Sequence, residues 1–183
     1  MAGLDDLRPF LFANRRPIPC YAFPETAEVL RRTHGYIFED GSYPGVPRLE
    51  LREIDGPFEV VSRDDPDRRI AVDPVPAWHA DLRVAVPRIG RFAYATDVNR
   101  LTDDAIERLR GLDVLVLDAL RHEPHPAHFT IGEAVRAAVE IGAGRTVLIH
   151  MTHTVLHADE TAALPDGIEL GYDGQVLTAR AMG

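Results

Sequence analysis

Two apolar runs constrain most of what this chain can become. Val114-Leu-Val-Leu117 and Thr146-Val-Leu-Ile149 are short and unbroken, and each reads as a buried strand. Both deliver histidines from their C-terminal ends. The first passes through Asp118 into a loop holding His122, His125 and His128, and the second runs directly into His150 and His153. In α/β folds that edge of the sheet is where sites are built. A lone histidine is more often a plain loop or core residue. Here seven of the eight histidines fall between His79 and His157, mostly at strand ends, which favours a shared task.

The 183 residues suffice for one good core, so a single domain over 1–183 is expected. A formal charge of −9 argues against a nucleic-acid binder that works by broad phosphate neutralisation, though not against a nuclease whose metals carry the electrostatics. Cys20 is the single cysteine, so no internal disulfide can form and a reducing, cytoplasmic setting is expected. No signal peptide and no apolar segment of membrane-crossing length is evident.

Taken in order, the chain offers a short strand at Ile18–Ala22, then a helix from Pro24 to Arg32 that opens on proline and closes on two arginines. Asp40 to Pro47 is rich in glycine and proline, and reads either as a lid or as a surface loop. Strands follow at Leu49–Ile54, Phe58–Val61 and Ile70–Val75, the last running on to Pro76-Ala-Trp-His79. Leu82–Val86 and Arg91–Ala95 form an expected hairpin across Pro87 to Gly90, ending at Thr96-Asp97. Helices are expected over Leu101–Leu112, with Thr102 as its N-cap, and over Thr130–Ile141. The second places Ile131, Ala134, Val135, Ala138 and Ile141 on one face. Ile168 to Leu177 reads as two short strands around an Asp173-Gly174 turn. The sum is an α/β sandwich with mixed sheets. His79, Asp97, His128 and His150 each follow a strand. Imidazole and carboxylate together are a ligand set for zinc or manganese, with no thiolate required. A carboxylate placed after a buried strand can bridge two ions, and paired ions suit in-line attack on a phosphate.

This scattered series resembles the metallo-β-lactamase-fold hydrolases. More narrowly it resembles the cyclic phosphodiesterases of phosphonate utilisation and their tRNA 3′-end-processing relatives. The likeness rests on strand-end His79 and Asp97, Asp118-Ala-Leu-Arg121, Pro126-Ala-His128 and Leu148-Ile-His-Met-Thr-His153. The opening Gly3–Arg8 and the ending Leu164–Gly174 belong to it too. The resemblance implies an αββα sandwich with mixed sheets and two divalent metal ions, zinc or manganese. It implies His79 on one metal, Asp97 bridging both and His150 on the second. His128 would face the substrate as general acid or charge stabiliser, outside the ligand set. His153 would support His150 from behind or cap its loop. Asp118 would either orient a histidine or bond nearby backbone amides. His122 and His125 read as loop residues, His34 and His157 as surface residues.

The family's His-x-His-x-Asp-His motif, expected just before Gly3–Arg8, does not occur in the sequence. The implied fold would therefore lack its N-terminal strands, and His79, Asp97 and His150 would be about half of a dinuclear site. Such a remnant is expected to hold one metal ion or none. Apolar surface left open would favour self-association, with a homodimer as its simplest form. The expected activity is hydrolysis of a small phosphodiester by a metal-activated hydroxide. The alternatives are thioester or lactone hydrolysis on the same fold, or a non-catalytic binding or oligomerising chain. With its negative charge and no long basic insertion, the chain has little to grip tRNA.

Overall fold

The computed structural model describes residues 2–10, 16–38, 45–62 and 64–180, so most of the loop expected over 40–47 lies outside the described residues. The chain divides into two compact units, Met1–Asp55 and Gly56–Gly183.

The first unit is a small βαβ arrangement. Strand β1 (Ile18–Ala22) leads through helix α1 (Pro24–Thr33) and the single-turn helix α2 (Gly35–Phe38) to β2 (Leu49–Glu53). The two strands pair in parallel, with Ile18 opposite Leu49. Proline at the start of α1 forfeits no helical bond, because the first N–H groups of a helix have no internal partner. Arg31 and Arg32 in its last turn complement the helix dipole, and Arg31 also meets Glu53 at 2.7 Å. Ala22, Ala27 and Leu30 form the core, with Leu4, Cys20, Phe38 and Leu51 packed around them.

The second unit is a seven-stranded sheet whose spatial order follows the chain. Its strands are β3 (Phe58–Val61), β4 (Arg69–His79), β5 (Leu82–Ile89), β6 (Phe92–Ala95), β7 (Val114–Asp118), β8 (Arg145–Ile149) and β9 (Ile168–Leu170). Strands β3 to β6 are antiparallel, and β6 to β9 are parallel. Parallel neighbours need crossovers, supplied by α3 (Asp103–Arg108), α4 (Ile131–Ile141) and α5 (His157–Ala163). Two antiparallel steps separate β4 from β6, so β4 runs in the same direction as β6, β7 and β8. Their C-terminal ends therefore share one edge of the sheet.

Strand β7, an interior strand of the sheet, is buried at all five positions. Leu115 and Leu117 join Ala105, Leu109, Ala134, Ala138 and Ile141 in the main core. Val114 and Val116 pack with Val147 on the other side. Helix α4 begins where its sequence says it should. The Thr130 hydroxyl accepts from Glu133 N–H (3.2 Å), while the Glu133 carboxylate accepts from Thr130 N–H (2.8 Å), a reciprocal cap. Gly142 ends the helix at φ 68°, a left-handed conformation that only glycine takes without strain. The face read from the sequence is the buried one, with Val135 at its margin.

Several boundaries differ from the sequence reading. The strand expected to stop at Val75 continues to His79, held by seven consecutive pairs with β5 from Asp73↔Arg88 to His79↔Leu82. Pro74 lies opposite Pro87, a pairing that a ladder tolerates where neither N–H is needed across it. Pro87 consequently stays inside β5, and the turn tightens to Gly90-Arg91. Helix α3 is shorter than expected. Thr102 does cap it, accepting from Ala105 N–H, but the helix gives out at Arg108, and Leu109 and Leu112 reach the core from outside it.

The Asp173-Gly174 turn forms, with Gly174 at φ 81°, but no second strand follows. Instead Leu177 and Ala179 pack against Val114, Val116 and Val147. Arg180 then grips Asp113 with its backbone N–H (3.0 Å), Nε (2.8 Å) and Nη2 (2.6 Å), and Arg91 Nε joins at 2.7 Å. Among the described residues no helix is long and apolar enough to cross a membrane.

These two guanidiniums hold the Asp113 carboxyl well below the usual carboxylate range. A depressed pKa contributes stability above the unfolded-state value and loses it as pH falls through the folded one. Asp113→Asn should therefore lower stability by a constant amount from neutrality to about pH 5, with the gap closing in stronger acid. Urea midpoints across that range measure it, and a gap that widens in acid contradicts it.

Candidate functional site

The shared edge of β4, β6, β7 and β8 gathers the strand-end residues into one cluster. His79 is the last residue of β4, at a two-residue turn whose Ala80 has φ 51°. That turn is tied down by Asn99, whose side-chain oxygen accepts from Ala80 N–H (3.1 Å) while its amide nitrogen donates to Pro126 O (2.7 Å). Arg100 lies over the Trp78 ring, 4.5 Å from its centroid, next to His79.

The ring of His79 is oriented by the backbone of the histidine loop. Its Nδ1 lies 2.9 Å from Ala127 O, and a carbonyl only accepts, so Nδ1 carries a proton and the lone pair of the neutral ring is on Nε2. Asp97 follows β6 with φ 55° and accepts from the Thr96 hydroxyl through Oδ2 (2.9 Å), which leaves Oδ1 open. His150 follows β8 with φ 69°, its Nε2 3.8 Å from Asp97 Oδ1. Left-handed backbone at two residues without glycine's freedom costs roughly 1–3 kcal/mol each, and such strain concentrates at functional sites.

His128 sits at the centre. Its ring centroid lies 4.8 Å from that of His79, 4.7 Å from His150 and 4.9 Å from His125. Asp118 holds it from below. The carboxylate is fully buried, and its Oδ2 takes both Val98 N–H (2.9 Å) and His128 Nδ1–H (2.6 Å). Burial pushes the Asp118 pKa up, against the opposing pull of those two bonds. Its other oxygen has no partner among the described residues. With Nδ1 so engaged, Nε2 is the His128 atom left for chemistry.

One ligand atom each from His79, Asp97 and His128 lie within 4.8 Å of one another. Two imidazoles and a carboxylate at that spacing suit one divalent ion, and the tautomer fixed on His79 presents the lone pair that coordination needs. The structure thus brings all four sequence-selected residues together, with His128 among the convergent donors and His150 approaching from the Asp97 side. It leaves others outside. His122 pairs with Glu160 at 2.7 Å, His153 is exposed, and His157 bonds Thr161 within α5. His34 meets the Thr33 hydroxyl in the first unit. His125 was read as a loop residue, yet it lies against His128. Burial, then the charges of His128, Arg121 and His79, lower its pKa. Asn99 and the peptide of Ala127 escaped the sequence reading. An asparagine two residues past a strand-end aspartate was the one visible signal for the former; a backbone carbonyl leaves none.

Residues 1–151 match the beta-lactamase superfamily domain. The chain is 33% identical to a diphosphatase of the PhnP family whose crystal structure is known, over 99% of this chain and 67% of that one, with a TM-score of 0.83. Human tRNase Z, short form, shares the fold at 16% identity and a TM-score of 0.62, over 98% of this chain and 74% of that one. An octanoyltransferase from Porphyromonas gingivalis is 34% identical over 95% of this chain. The chain spans about a third of that relative's length, 34%. The fold and the sequence thus agree, and the chain belongs to the beta-lactamase superfamily, with a metallo-β-lactamase fold similar to that of the PhnP-family diphosphatase.

Proposed function

We propose that this chain hydrolyses a small phosphodiester. The observation that carries the reading is the buried Asp118–His128 pair, which aims the one unbonded His128 nitrogen at the cluster formed by His79 and Asp97. In this reading His79 and Asp97 would hold a divalent metal, zinc or manganese, with His150 beside Asp97 as the third ligand, while His128, the third member of the structural cluster, is kept for proton transfer; the metal when bound supplies Lewis acidity beside the scissile phosphorus. His128 delivers a proton to the departing oxygen, or stabilises the charge growing on it, from Nε2. Asp118 stabilises the protonated ring and prevents it from rotating. The 33%-identical diphosphatase of the PhnP family supports phosphorus chemistry. A groove of about 450 Å³ adjoins the site at His150, although its lining of Tyr94, Val116, Val147, Tyr172 and Leu177 includes none of His79, Asp97 and His128.

The octanoyltransferase relative favours a second reading, in which the same cluster acts on an acyl carbonyl polarised by His128. Bis(p-nitrophenyl) phosphate and an octanoyl thioester, assayed side by side with zinc or manganese, separate the two. Diester turnover is expected, falling by roughly 10²–10⁴-fold in kcat for His128→Ala, the range of lost general acid catalysis. Thioester turnover without diester turnover would select the acyl reading.

Metal binding is a separate expectation. Equilibrium dialysis against zinc should leave about one ion per chain in the parent protein, since one cluster of donors converges, and none in Asp97→Ala. Equal retention by both would remove Asp97 from the ligand set.

A further inference from the structure

We propose that His125 is a substrate-contacting hydrogen-bond donor, its Nε2–H taking an oxygen of the phosphate bound at this site. The inference rests on the phosphodiester reading for the identity of the ligand, and on the geometry of one peptide for everything else.

Ala127 sets two histidines in opposite tautomers. Its carbonyl accepts from His79, which leaves that ring a lone pair at Nε2. Its N–H donates to His125 Nδ1 at 3.2 Å, so that nitrogen is an acceptor and the proton of His125 is on Nε2. An imidazolium has no lone pair with which to accept the Ala127 N–H, so the ring is neutral while this bond holds. His79 is thereby shaped to bind a cation, and His125 to donate to an oxygen.

The other two histidines of the loop are already committed, His122 to Glu160 at 2.7 Å and His128 to Asp118 at 2.6 Å. The Nε2 of His125 has no protein acceptor among the described residues, although the ring is half-buried and packs 4.9 Å from His128. That N–H is open to solvent, so an acceptor carried by a ligand can take the place of water there. Beside a cluster suited to a metal and its phosphate, an anionic oxygen is the acceptor that fits.

The test uses two amides that each copy one ring nitrogen. Gln places a donor near the Nε2 position, whereas Asn places an acceptor near Nδ1 and retains only the bond to Ala127. Inorganic phosphate is titrated calorimetrically into zinc-supplemented parent protein, His125→Gln and His125→Asn. His125→Asn is expected to raise the phosphate Kd roughly tenfold or more, the loss of one hydrogen bond to a charged group. His125→Gln is expected to stay near the parent. Proton–nitrogen correlation spectra should show the Nε2–H tautomer of His125 and a shift of that signal on phosphate addition. Equal loss in both variants, loss in Gln alone, or no phosphate binding by the parent overturns the proposal. A parent that binds phosphate with this pattern yet turns over no diester would overturn the phosphodiesterase reading and leave the role of His125 standing.

Discussion

A single buried carboxylate oxygen organises the site. Asp118 Oδ2 accepts from Val98, the residue after Asp97, and from His128, ten residues further along the chain. Two separate segments are thus referenced to one atom at the end of the most deeply buried strand. Val98 returns a carbonyl to Phe129 N–H at 3.0 Å, and Leu120 N–H meets Phe129 O at 2.9 Å, which closes the histidine loop upon itself. A buried charge of this kind costs several kcal/mol unless it is paired. Here both bonds serve groups at the cluster, and the second oxygen has no partner among the described residues. A carboxylate so placed adds little to stability compared with an apolar side chain of similar size. Its gain is positional: the backbone just after Asp97 and the ring of His128 share one anchor.

Strand direction explains why residues separated by about seventy positions meet. Because β4, β6, β7 and β8 all point the same way, whatever follows each of them emerges at one edge. Left-handed backbone at Asp97 and His150 then turns the chain abruptly as it leaves the sheet. The sheet sets the edge, and the turns aim the side chains.

This logic was largely legible in the sequence, because burial and periodicity act locally. Val114–Leu117 and Thr146–Ile149 had to be strands, Ile131–Ile141 carried its cap and its apolar face, and the four strand-end residues singled out lie near one another at one edge of the sheet. What escaped depends on tertiary context. Pro76 and Pro87 fell just outside the expected strands, yet β4 and β5 pass through them because seven consecutive pairs outweigh local preference. The end of the tail read as a strand and is instead held by the Arg180–Asp113 clamp, a contact across 67 positions that no local pattern announces. His125 read as a bystander because its role is set by the N–H of Ala127, and backbone groups carry no sequence signature.

The overall charge then decides how such a site must bind. At −9 this chain would repel an anionic substrate of the kind proposed, so long-range attraction would not gather it. Charges beyond roughly 8 Å are screened at physiological ionic strength, which confines the contest to groups in direct contact. Within that distance stand the donors of the loop and the cluster of His79, Asp97 and His128, whose spacing suits a divalent cation. A neutral ring N–H has an advantage there over an added lysine or arginine, because it bonds an oxygen without competing with the metal for the carboxylate of Asp97. Recognition by short, directional bonds also favours a compact phosphate over a long polyanion, whose many charges would meet the negative surface at every other point.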